Sequence, residues 1–105
     1  MSKIGIFDSG IGGLSVLKVI YEKFPNNIYF YIGDENYYPY GLKSDGEIID
    51  RSEKITEFLI FQKVDLIIVA CNTVSSIALD HLKKKYEVPI IGVIDGAVEK
   101  SLKIT

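Results

Sequence analysis

The chain has 105 residues, about half of them apolar and a quarter charged, with a formal net charge of -2. That length holds one domain with a modest core, and the near-neutral balance offers no electrostatic basis for binding nucleic acid or an anionic membrane surface. One cysteine, Cys71, excludes an internal disulfide, and with one histidine, His81, it makes no metal-ligand cluster.

Residues 3–7 read as a short apolar strand. Gly10, Gly12 and Gly13 then punctuate a turn, after which Leu14, Leu17, Ile20, Tyr21 and Phe24 recur at helical spacing. Pro25-Asn26-Asn27 closes that helix, and residues 28–32, rich in β-branched and aromatic side chains, predict a second strand. An irregular loop over 33–43 follows. Ser44-Asp45-Gly46-Glu47 has the form of a capping box, and Ile48, Ile55 and Leu59 mark one face of a helix reaching about residue 62. Residues 64–70 predict a third strand, apolar but for Asp65 and continuous from Leu66 to Ala70, as in a strand covered on both faces. A helix is predicted over 75–86, with Ala78, Leu82 and Tyr86 on one face, and a fourth strand over 89–94, with Pro89 at its tolerated first position. Residues 96–104 read as the opening of another helix. The longest apolar runs are too short to span a bilayer and the N-terminus lacks the apolar stretch of a signal peptide, so a cytoplasmic protein is expected.

This alternation predicts an α/β fold: a four-stranded parallel sheet in three αβα layers, with right-handed crossovers. Such sheets bind ligands at the carboxyl ends of their strands. The residues just past each strand are therefore the informative ones, and they are polar: Asp8-Ser9, Gly33-Asp34 with the loop through Tyr40-Gly41, and Cys71-Asn72-Thr73. Since the first and third strands carry two of these clusters, they are expected as central neighbours.

Each cluster has a plain alternative. Asp8 to Gly13 can serve as a helix N-cap and turn, or as a nucleotide-binding glycine turn in which Asp34 meets a ribose. Against the nucleotide reading, Ser15 stands at the third glycine position and Asp8 would lie near the pyrophosphate. The segment 34–43 is by default a surface turn shaped by Pro39 and Gly41. Cys71 can be a small core hydrophobe, but a thiol between a strand end and a helix start lies where thiolate is favoured and ligands bind. Cys71 is therefore expected to be accessible and reactive. His81 is expected on the solvated surface.

Taken together, FDSGIGGLSV (7–16), YPYG (38–41), ACNTVSS (70–76) and PIIGVI (89–94) resemble, in order and spacing, the successive signatures of glutamate racemases, within the aspartate/glutamate racemase family. The resemblance covers essentially the whole chain and implies the N-terminal portion of a two-domain enzyme, residues 1–105 being one half. It implies interconversion of L- and D-glutamate without a cofactor or metal, supplying D-glutamate for peptidoglycan, in a cytoplasmic enzyme that forms a homo-oligomer, expected as a dimer, with no nucleic-acid or membrane partner. Carried onto this sequence, it makes Cys71 one of two catalytic thiols and Asp8 the carboxylate assisting it, with Asp8, Ser9, Tyr40, Gly41, Asn72 and Thr73 holding substrate. The resembled enzymes carry a second cysteine, in a stretch like Gly-Cys-Thr-His, that has no counterpart here. This chain alone is therefore expected to be inactive. The rival readings are a racemase of aspartate or another amino acid, a nucleotide-binding module, and a folded but inactive remnant.

Overall fold

A computed structural model describes residues 1–10, 13–34 and 42–92. Four parallel strands, β1 (Lys3–Asp8), β2 (Ile28–Gly33), β3 (Leu66–Val69) and β4 (Ile90–Gly92), form one sheet in the order β2-β1-β3-β4. Between them run α1 (Gly13–Lys23), α2 (Asp45–Phe61), and the consecutive α3 (Asn72–Ile77) and α4 (Leu79–Lys85). The α/β class and the central pairing of β1 with β3 are as predicted.

Alternation along the strands builds the layers. Ile4 and Ile6 of β1 and Leu66 and Ile68 of β3 pack with Ile20, Val16 and Leu17 of α1 on one face. Phe7, Ile67 and Val69 pack on the other with Ile48, Ile55 and Leu59 of α2, Val74 of α3 and Leu82 of α4. All four residues of β3 are buried, which is why its sequence shows no polar alternation.

Local chemistry sets the helix ends. Ser44 caps α2: its hydroxyl accepts the Glu47 backbone N–H at 3.1 Å and lies 3.2 Å from Glu47 Oε1. At the other end Lys63 adopts φ 63°, its N–H donates to Ile60 O at 2.8 Å, and the Val64 N–H reaches Leu59 O at 3.5 Å. That is the left-handed helix stop usually made by glycine.

The structure departs from the sequence reading beyond Cys71. The single helix predicted over 75–86 is two, α3 starting three residues earlier at Asn72 and breaking from α4 at Ala78, where φ is -116°. The bend lets the consecutive residues Ala78 and Leu79 both be buried, which the spacing of a straight helix does not signal. The strand predicted over 64–70 is limited to Leu66–Val69. The last predicted residues of the fourth strand and the helix over 96–104 lie outside the described residues.

His81 is partly exposed, as expected, but it is not simply solvated. Its Nε2 lies 2.6 Å from Glu53 Oε2, and Lys85 Nζ lies 2.8 Å from the same oxygen. Tyr86 adds a hydroxyl hydrogen bond to Glu57. These contacts clasp α4 to α2, and the hydrogen bonds from His81 and then Lys85 hold the Glu53 carboxyl below its ordinary value of 4.5.

Two outcomes follow. Replacing Lys63 by glycine removes the cost of a left-handed side chain, about 1–2 kcal/mol, against a smaller loss of chain entropy, so urea unfolding of Lys63→Gly should show a gain of about 0.5–1 kcal/mol. A carboxyl whose value is lowered by folding stabilises the fold above its unfolded value and loses that contribution as pH falls through the lowered one. Glu53→Gln should accordingly reduce the urea midpoint at neutral pH, and the gap to the parent should close below pH 4.5.

Candidate active site

Because β1 and β3 are hydrogen-bonded neighbours with Phe7 opposite Val69, the residues that follow them emerge side by side. The Ala70 N–H continues the ladder by donating to Phe7 O at 2.8 Å. Cys71 stays extended and takes the N-cap position of α3, its carbonyl accepting the Ser75 N–H at 2.9 Å. Its side chain makes no capping bond. The thiol instead reaches across the strand ends and donates to Ser9 Oγ at 3.2 Å.

Asp8, the last residue of β1, is 3% exposed, and Cys71 is 7% exposed. The expectation of an accessible thiol is thus corrected. Because α3 begins directly after Cys71, the thiol is drawn under the helix start and joins the core cluster containing Phe7, Val69 and Val74. Core packing and site position, treated as alternatives in the sequence, coexist at this residue. Asn72 is exposed and Thr73 half-buried in the first turn of α3. Tyr40 and Gly41 lie outside the described residues.

The end of β2 closes the other side of Asp8. Asp8 stands opposite Gly33, and the Asp34 N–H donates to Asp8 O at 3.0 Å. The turn after Asp8 folds over Gly33 so closely that a Cβ there would lie 2.7 Å from Gly10 O and 2.8 Å from Tyr31 Oη. Tyr31 Oη itself donates to Gly10 O at 3.4 Å. Asp34 is buried and held by Arg51 of α2 in a two-pronged pair, Nε to Oδ2 at 2.7 Å and Nη2 to Oδ1 at 2.8 Å.

That pairing counts against the nucleotide reading, since the carboxylate meant for a ribose already has both oxygens on a guanidinium. Arg51 and Tyr31 were not singled out in the sequence, and Gly33 only as part of the strand-end cluster. One signal was available for the first, because Arg51 is the chain's only arginine and arginine is the side chain suited to buried planar pairing with a carboxylate. Among the described residues there is no cluster of metal-ligating side chains and no helix long and apolar enough to cross a membrane.

The close approach at Gly33 is testable. Gly33→Ala must push the turn carrying Ser9 and Gly10 outward, costing about 1–3 kcal/mol as overpacking does. Alkylation of Cys71 in the folded state should accelerate as Ser9 withdraws, a change read by mass spectrometry on the sole thiol.

No protein-family profile matches the chain. Comparison with individual proteins is informative. Glutamate racemase of Aquifex aeolicus is 46% identical over 101 residues, covering 96% of this chain and 40% of the relative. The solved glutamate racemase of Aquifex pyrophilus superposes with a TM-score of 0.85 at 48% identity, over 98% of this chain and 41% of that one. The Francisella tularensis glutamate racemase, solved in complex with D-glutamate, superposes with a TM-score of 0.84 at 42% identity, over 93% of this chain and 38% of that one. The chain thus spans about 40% of the length of the relatives it matches. Over nearly all of its residues this chain matches, in sequence and in fold, part of the length of enzymes named glutamate racemase, as the sequence resemblance predicts.

Proposed function

We propose that this chain supplies one catalytic thiol and part of the substrate contacts of a glutamate racemase that works without a cofactor. The observation carrying this reading is the Cys71 to Ser9 contact at 3.2 Å across the ends of the two central strands. It joins the two polar clusters into one site.

Inverting a stereocentre by proton transfer requires a base on one face of the carbon and an acid on the other. Cys71 acts on one face, removing the Cα proton as thiolate or returning it as thiol according to the enantiomer bound. A second thiol must serve the opposite face, and this chain has only one. Asp8 assists Cys71. Ser9, Asn72 and Thr73, with Tyr40 and Gly41, offer hydroxyl, amide and backbone groups to the amino acid, and their donors stabilise the negative charge that develops as the Cα proton leaves. Burial of Cys71 suits the task, since a proton-transfer group shielded from water acts in a medium where nearby dipoles weigh more.

The substrate class rests on kinship with an enzyme solved with D-glutamate. The reading extends to supply of D-glutamate for peptidoglycan, a cytoplasmic location and a homo-oligomeric, dimeric enzyme.

A single base can only return a proton to the face it came from. Circular dichroism of L- or D-glutamate with the 105-residue chain should therefore show no sustained loss of optical activity. Joined to a partner segment carrying the second thiol, the chain should racemise glutamate and incorporate Cα deuterium from D2O. Cys71→Ala in that assembly should lower the rate by roughly 10²- to 10⁴-fold, the scale of one general acid–base group. Sustained racemisation by the chain alone would overturn the two-thiol account.

A further inference from the structure

The Asp34–Arg51 pair is not required by the proton-transfer chemistry, yet it lies at the same sheet edge as the site. Asp34 immediately follows β2, is buried, and is tied through its N–H to Asp8 O. Its carboxylate would add a second buried negative charge beside Asp8. Arg51 reaches from α2 to cancel it through two charge-assisted hydrogen bonds of 2.7 and 2.8 Å.

We propose that Arg51 sets the electrostatic potential of the site, neutralising Asp34 so that an anionic amino acid can approach Cys71. The proposal rests on the racemase reading for its ligand, because glutamate carries one more carboxylate than it has ammonium groups. Asp34 and Cys71 leave strands separated only by β1, so two strand spacings put the pair roughly 10 Å from the thiol. At that separation an unpaired charge is felt and incompletely screened by salt. Arg51 touches no reacting atom in this account; it acts through Asp34, as a positioning and charge-setting residue.

Cys71, as the sole thiol, reports the local potential directly. The ratio of its alkylation rates with iodoacetate, an anion, and iodoacetamide, its neutral analogue, measures how the site receives negative charge. Arg51→Gln should lower that ratio roughly three- to tenfold at low salt. Asp34→Asn, which removes the Asp34 charge while keeping the guanidinium, should raise it by a similar factor. The double variant Asp34→Asn/Arg51→Gln, in which two amides can still meet, should return the ratio close to the parent's, and added salt should shrink both single-variant effects. Reaction through the unfolded state would give the unfolded chain's own ratio, measured alongside, so a damaged fold is recognised by that value and by its loss of salt dependence. A ratio unmoved by either single change, moved in the same direction by both, or equal in every protein to that of the unfolded chain would overturn the proposal. Neither reagent is a racemase substrate, so this result and that of the racemisation assay can fail independently.

Discussion

The pairing of β1 with β3 is the constraint on which the rest depends. Ser9 directly follows β1 and Cys71 lies two residues past β3, but more than sixty residues separate them in sequence, and they meet at 3.2 Å only because parallel strands in register end together. Parallel pairing requires a crossover, and here the crossovers between β1 and β3 contain α1, β2 and α2. The helices that cover the sheet are therefore also what permits its two chemical ends to coincide. Burial of Ile4, Ile6, Ile67 and Val69 on opposite faces secures that register, since a one-residue slip would exchange the two sets of side chains.

The site is held from three directions. From β2, Gly33 admits the turn after Asp8 at a distance no side chain would allow, and the Asp34 N–H anchors the Asp8 carbonyl. From α2, Arg51 satisfies Asp34. From behind, Val74 and the core under α3 hold the segment that begins at Cys71. The clasp of Glu53 with His81 and Lys85 ties α4, and through it α3, to the helix that carries Arg51. One helix thus braces both sides of the strand-end cluster.

At Cys71, burial is compatible with the proposed role. Its backbone is a helix cap, its side chain is in the core cluster, and its sulfur still meets the hydroxyl of Ser9, just past the end of β1. A thiol used only to move protons to and from a bound carbon needs contact with that carbon rather than with bulk water. The low exposure of Asp8 is of the same kind.

The sequence by itself determined the class of fold, the four strands, the Ser44 cap, and the polar residues at the strand ends, because these depend on period, turn chemistry and composition over a few neighbouring residues. The family resemblance was likewise carried by local stretches, such as those around Asp8 and Cys71. Tertiary structure alone decided what depends on distant partners. The break at Ala78 arises from packing two consecutive residues inward, and Cys71 is buried because α3 starts at once and pulls it beneath the helix. Asp34, read from spacing as a possible ribose ligand, is instead paired with an arginine seventeen positions away. Hydrophobic periodicity records which side of an element faces inward; it does not record which charge will stand opposite another once the layers close.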